Sequence, residues 1–266
     1  MLQDTILSHL SPDYPWKDRM QYFPTIGSTN DVLKDLAKQD APHGTAIVAG
    51  HQSGGRGRRG RSFHSPEDMG IYLSILLRPN CPPDQLMHLT CAVGEAMCDA
   101  IEQACGLRPG IKWTNDLVFG KHKLGGILTE LGMSPQGTVA YTVIGIGINC
   151  CQRVQDFPPE IRDMAASLHM VTGQQIDRDA LAAAMLEALC RMDSILLTDP
   201  ARILSRYRRD CITIGQEICV IRGDEVRRGK ALNVDDLGAL VVSYADGTVE
   251  AVNSGEVSIR GMYGYV

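Results

Sequence analysis

No stretch of this chain approaches the ~20 consecutive apolar residues of a helical membrane span, and Met1-Leu2-Gln3-Asp4 puts no basic segment ahead of an apolar one. Neither a helical membrane protein nor a secretory leader is expected. Cysteine is present but never as C-x-x-C. Cys81, Cys91, Cys98, Cys105, Cys150, Cys151, Cys190, Cys211 and Cys219 make an odd set without zinc or thioredoxin-like spacing. The phosphate loop G-x-x-x-x-G-K-[ST] is missing, and Gly55-Arg56-Gly57-Arg58-Arg59-Gly60 does not lie between a strand and a helix, so no dinucleotide is implied. An excess of positive charge is also lacking. With 26 Lys and Arg against 31 Asp and Glu, the net charge of −5 argues against a general nucleic-acid or membrane-surface binder. Neither a solenoid-type repeat nor a low-complexity tract beyond one Gly-Arg stretch is found. Reduced thiols without an export signal make the cytoplasm the expected compartment.

What is there is an ordinary globular composition, 44% hydrophobic and 21% charged over 266 residues, enough for one large domain and a smaller one. Its most unusual segment is Gly54-Gly55-Arg56-Gly57-Arg58-Arg59-Gly60-Arg61. Glycine has no side chain to pack and arginine resists burial, so the stretch cannot build a core. It can surround an anion with backbone N–H groups and guanidinium forks. Alone it fits either an RNA-binding arginine cluster or a loop for a discrete anion; the acidic chain and the absence of interleaved aromatics favour the second.

Residues 1–23 read as an irregular or short helical lead-in. Ser28 and Asp31 form a variant capping box ahead of a helical stripe of Val32, Leu33, Leu36 and Ala37. Thr45 to Gly50 reads as a buried strand, His51 to Pro66 as a loop, and Ile71 to Leu77 as a period-two strand. Gln85 to Cys105 reads as an amphipathic helix ended near Gly106, with Cys91, Cys98 and Cys105 as thiols packed on one face. Strands are expected from Ile111, over Asp116 to Phe119, over Lys123 to Leu131, and over Val139 to Ile148, with a hairpin turn at Gly120-Lys121-His122. After a loop and one short helical turn before Gly173, a helix runs from Arg178 to Leu197. Asp199-Pro200 starts another through Arg209, whose arginines 202, 206, 208 and 209 are expected to be solvated. Strands with period two and few crossover helices make the class α+β. Composition shifts near Cys211 to Gly215. Five short apolar runs with Gly/Asp turns follow, ending with Val257 to Arg260, which predicts a small antiparallel β-barrel. The expected domains are 1–212 and 213–266.

Three further segments bear on the anion. In Lys112-Trp113-Thr114-Asn115-Asp116, the Asn115-Asp116 pair is either a simple turn or a functional strand end, where Asp116 holds a magnesium ion or orients a lysine. In Lys123-Leu124-Gly125-Gly126-Ile127-Leu128, Lys123 lies across a strand pair from Asp116, and the glycines leave the strand bare for a flat ligand. Gly145-Ile146-Gly147-Ile148-Asn149 repeats that device.

In this order, G-R-G-R-R-G, K-W-x-N-D, K-L-G-G-I-L and G-I-G-I-N resemble the biotin–protein ligases, from Ser28-Thr29-Asn30 to Gly255 through Arg260. The resemblance implies a class II synthetase-like domain, a mixed central sheet flanked by helices, followed by the small barrel. It implies that biotin's carboxylate attacks the α-phosphate of ATP, and that a lysine of a biotin carboxyl carrier domain then takes the biotinyl group. Lys123 would be the central lysine, assisted by Arg58 and Asp116, the last at Mg2+ or at Lys123. Ser28, Thr29, Asn30, Gln52, Gly54, Arg56, Gly57, Arg58, Ser74, Lys123, Gly125 and Gly126 would bind biotin. Arg56, Arg58, Arg59, Arg61, Phe63, Asn115, Lys123, Asn149 and Arg260 would bind ATP, with Phe63 stacking on adenine. His64 matches no role in the family and is expected to be solvated, and Cys150-Cys151 is expected to be structural. The loop is expected to be mobile and to close on ligand. Regulatory relatives carry an N-terminal winged helix-turn-helix; fewer than thirty residues precede Ser28, so the resemblance is to the monofunctional class, with no DNA partner. Monomer and homodimer both stay open. The rivals are a lipoate– or octanoate–protein ligase and a non-catalytic biotin sensor.

Overall fold

The structure is a computed structural model and describes residues 1, 3–254 and 258–261. Elements follow in chain order: α1 (Gln3–His9), β1 (Met20–Ile26), α2 (Thr29–Lys38), β2 (Ala46–Gln52), β3 (Gly70–Leu77), α3 (Leu89–Cys105), β4 (Gly110–Lys112), β5 (Asp116–Phe119), β6 (His122–Met133), β7 (Val139–Asn149), α4 (Leu168–Thr172), α5 (Arg178–Ile195) and α6 (Pro200–Asp210). Then come β8 (Glu217–Arg222), β9 (Glu225–Val234), β10 (Leu240–Tyr244), β11 (Val249–Val252) and β12 (Ser258–Gly261). The large sheet has the order β1-β2-β3-β7-β6-β5-β4, with β1 parallel to β2 and every other pair antiparallel. The second sheet, β11-β10-β9-β8-β12, is antiparallel throughout. An α+β fold with a mixed central sheet is thus what the chain adopts. The small sheet ends at β11 and β12, each of four residues, and no pairing between them closes a barrel among the described residues.

The core lies between the large sheet and helices α3 and α5. All of β3 is buried, and so are Leu181, Met185, Leu189 and Met192 of α5. Buried residues of both sheets form one contiguous cluster, so the small sheet packs on the large unit. Trp113 ties the two, its backbone N–H donating to Thr213 Oγ1 and its indole N–H to the Gly238 carbonyl. Cys91 and Cys98 are buried and Cys105 half-buried on the one face of α3. Gly106 ends this helix in the left-handed region, its N–H returned to the Glu102 carbonyl. The α6 start is as expected: Asp199 accepts from Arg202 N, and Pro200 fills the first turn, where a missing N–H costs nothing.

Several local expectations fail. Residues 20–26 form an edge strand, which Pro24 and a mixed burial pattern concealed. Pro24 is skipped in the ladder to β2, the place where an edge strand tolerates proline. The box at α2 does not form: Ser28 precedes the helix in extended conformation without a side-chain cap, and the Asp31 carboxylate is drawn to Lys34 and Arg56. Two arginines of α6 are not solvated spares. Arg206 pairs with Glu95 and Asp99 of α3, and Arg208 reaches the Val234 carbonyl of β9 and Asp236.

Candidate active site

Adjacent strands β6 and β7 place Gly126 beside Gly147 and Leu128 beside Gly145. The bare backbone of Gly126, Gly145 and Gly147 is part of the floor of an open cleft. Ser28, Thr29 and Asn30 line it at the start of α2, with Gln52 from the end of β2. Arg56, Gly57, Arg58 and Phe63 enter from the Gly-Arg loop, and Asn115, Lys123, Gly126, Ile127, Leu128, Gly145, Ile146 and Gly147 complete the lining.

The end at α2 is dense in hydrogen-bonding groups. Thr29 donates from its backbone N–H (2.9 Å) and lies within 3.1 Å through its hydroxyl of Gln52 Oε1. The buried Ser74 hydroxyl lies 2.7 Å from Thr29 Oγ1 and 2.6 Å from Asn30 Oδ1, its single proton serving one of them at a time. A Cβ on Gly145 would stand 2.1 Å from Asn30 Oδ1, so only glycine leaves room for that amide. At the other end the Phe63 ring lies over Gly147, where a Cβ would come within 2.4 Å of it. The loop folds back as a small hairpin: Gly57 N–H donates to the Arg61 carbonyl and Phe63 N–H to the Gly55 carbonyl. Arg59 forms its left-handed turn at φ 57°.

Between the ends sit two cations. Lys123 Nζ is 2.5 Å from Asp116 Oδ1, across the β5–β6 pair. A Cβ on Gly126 would be 3.1 Å from Nζ, so the lysine lies along the bare strand. Arg58 donates to Asn115 Oδ1 at 2.7 Å and to the Ser254 carbonyl. Both acceptors are neutral, and among the described residues no ion pair forms at Arg58. Burial pulls its pKa below the usual arginine value, partly offset by the charge of Asp116. Its charge is therefore available to an anion in the cleft.

Arg56 differs. Its guanidinium is 2.6 Å from Asp31 and 3.2 Å from Glu130, and Lys34 joins both carboxylates at 3.0 and 2.9 Å. Two cations and two anions close on themselves. Burial alone would raise both carboxyl pKa values, but Lys34 and Arg56 hold Asp31 below its usual range. Hydrogen bonds from Asn30 and Lys34, with the charges of Lys34 and Arg56, do the same for Glu130.

Other expected residues fall elsewhere. Ser74 lies beneath the cleft as support for Asn30. Gly125 faces away from the cleft, where a Cβ would strike the Gly147 carbonyl at 2.5 Å. Gly54 binds the Gly27 carbonyl through its N–H outside the lining. Arg59 and Arg61 are exposed and outside the lining. Asn149 is buried and donates to the Ala166 carbonyl. Arg260 pairs with Cys219 through its backbone, and its side chain lies outside the described residues, as do Gly255, Glu256 and Val257. His64 is half-buried with Nε2 3.1 Å from the Asp156 carbonyl, which anchors the loop. Ile127, Leu128 and Ile146 of the motif segments also line the cleft, and Glu130, outside the motifs, stands behind it. The signal for Glu130 is that it shares a strand face with Gly126 and Leu128, two residues apart each. Asp116 Oδ1 is engaged by Lys123, and among the described residues no group of three metal-binding side chains forms a cage, so a Mg2+ here would rest on Asp116 and the nucleotide's phosphates.

The model of the biotin/lipoate A/B protein ligase family matches residues 22–149, and that of the biotin protein ligase C-terminal domain matches residues 213–260. The bifunctional ligase/repressor BirA of Bacillus subtilis is 33% identical over 241 residues, 90% of this chain and 73% of that one. The biotin–[acetyl-CoA-carboxylase] ligase of Mycobacterium tuberculosis is 31% identical over 238 residues, 87% and 85% of the two chains. The structure of a biotin protein ligase from Aquifex aeolicus in complex with biotin and ATP superposes with a TM-score of 0.78 at 28% identity, covering 91% of this chain and 99% of that one. The chain belongs to the biotin/lipoate A/B protein ligase family, within it to the biotin protein ligases, and it is an enzyme of that class. Among the described residues no helix is long and apolar enough to cross a membrane.

Proposed function

We propose that this enzyme condenses biotin with ATP to biotinyl-5′-AMP and passes the biotinyl group to a lysine of a biotin carboxyl carrier domain. One observation carries the reading: Lys123 and Arg58 lie over a glycine floor, between an amide-and-hydroxyl end and an aromatic end. The ureido ring of biotin has N–H donors and a carbonyl acceptor, which suit Ser28, Thr29, Asn30 and Gln52. Adenine suits the Phe63 ring.

A carboxylate and a phosphate repel each other, and Lys123 and Arg58 offset that repulsion. Asp116 orients Lys123 and Asn115 orients Arg58. The biotin carboxylate oxygen attacks the α-phosphorus, the bond from that phosphorus to the bridging oxygen breaks, and pyrophosphate leaves. The neutral amine of the carrier lysine then attacks the acyl carbon; an amide forms, AMP leaves, and the amine's extra proton goes to solvent. Catalysis is positioning plus charge. The Gly-Arg loop closes over the anhydride and keeps water from it. Magnesium arrives with the nucleotide's phosphates, as is usual for ions without a protein cage. The cytoplasm, where the carrier is made and thiols stay reduced, is the compartment we infer.

Biotin-dependent exchange of labelled pyrophosphate into ATP tests the first half-reaction. Exchange with biotin and none with lipoate is expected; exchange with lipoate alone, or with neither acid, contradicts the reading.

A further inference from the structure

Glu130 stands on β6 behind the cleft and outside its lining. Its carboxylate has three kinds of partner. Oε2 accepts from Asn30 Nδ2 at 2.9 Å, Oε1 from Lys34 Nζ at 2.9 Å, and Arg56 spans both oxygens at 3.2 and 3.3 Å. The first partner lines the cleft and the last belongs to the loop. Without Glu130, Asn30 Nδ2 would keep only the 3.4 Å contact to the Leu128 carbonyl, and its side-chain amide could turn. The Asn30 oxygen faces the Ser74 hydroxyl and the space left by Gly145, so a turned amide would present the wrong group there. Arg56 would keep only Asp31, whose carboxylate is half exposed and so holds a charge weakly.

We propose that Glu130 is a positioning residue with two separable tasks: its oxygen fixes the amide of Asn30 at the biotin end, and its charge clasps the Gly-Arg loop through Arg56. The first task rests on the biotin reading; the second does not. Two substitutions separate them. Glu130→Gln keeps an oxygen for Asn30 but loses the charge, whereas Glu130→Ala loses both.

The measurements are the Michaelis constants for biotin and ATP and kcat in pyrophosphate exchange, with tryptic cleavage of the ligand-free protein at exposed Arg59 and Arg61. Glu130→Ala should raise the biotin KM about tenfold or more, the usual effect of losing a hydrogen bond to a charged group, with much smaller changes in ATP KM and kcat. Glu130→Gln should leave the biotin KM near the wild-type value. Both variants should be cut in the loop several-fold faster than wild type. A fall in kcat at unchanged biotin KM in Glu130→Ala, equal biotin KM values in the two variants, or wild-type cleavage rates in Glu130→Gln overturns the assignment. Should wild type itself show no biotin-dependent exchange, the functional reading fails, and the cleavage comparison still decides the clasp.

Discussion

At the scale of single residues, charge and its compensation separate side chains of one kind. Arg56 and Arg58 stand two apart in one motif, and nothing in the sequence distinguishes them. The structure gives Arg56 two carboxylates and Arg58 two neutral oxygens. Arg58→Ala is accordingly expected to raise the ATP KM well beyond the effect of Arg56→Ala; steady-state pyrophosphate exchange with the two variants measures the order, and the reverse order contradicts it. For Lys123→Ala, the loss of one preorganised electrostatic contact should lower adenylate formation by roughly 10²–10³-fold. Its melting temperature should fall as well, since Lys123 is only 28% exposed and its loss takes the 2.5 Å partner from the largely buried Asp116 carboxylate. The motifs made Lys123, Asp116, Asn115 and Phe63 legible. Glu130 was not, because its task depends on three elements that meet only in the fold.

At the scale of elements, turns and helix ends were the readable part. The Gly120 hairpin, the Asp199-Pro200 start and the Gly106 stop each follow from one residue's backbone preference. Strand β1 was unreadable because an edge strand needs no apolar alternation and admits Pro24. Paired glycines mark these strands as bare, but which glycine faces the cleft is a matter of pairing: Gly126 and Gly147 face it, while Gly125 faces the packed side. Adding a methyl to β7 therefore has two addresses. Gly147→Ala should displace Phe63 and raise the ATP KM; Gly145→Ala should displace Asn30 and raise the biotin KM. Separate titrations of each substrate check this, and an exchange of the two effects would contradict the assigned ends.

At the scale of the whole molecule, α3 and α6 are joined by a charge network that no local pattern announced. Glu95 is buried beside Asp99, Arg108 and Arg206, and Arg108 also binds Asp99, Glu102 and Asp210. Burial first, and the charge of Asp99 next, push the Glu95 carboxyl up to about 7 from an ordinary 4.5. Asp99 and Asp210 are held below their usual values, so they act only at lower pH. The folded chain keeps a proton on Glu95 that the unfolded chain loses above pH 4.5, so this contribution to stability is full below that value and fades as pH rises through about 7. Glu95→Gln should melt higher than wild type at pH 8, by about 2–4 °C per kcal/mol in a chain of this size. The gap should narrow as pH falls and vanish below about 4.5; thermal melts across the range would show a constant or inverted gap if the sign is wrong.

The cleft of the large sheet bears on one proposed reaction, whose product is read most directly as mass. The protein is incubated with Mg-ATP, an apo biotin carboxyl carrier domain, and either biotin or lipoate, and the carrier is weighed by mass spectrometry. The expected result is a gain of one biotinyl group on a single lysine, absent with lipoate and absent with Lys123→Ala. A carrier unchanged at saturating biotin and ATP, or one that gains a lipoyl group instead, would contradict the account.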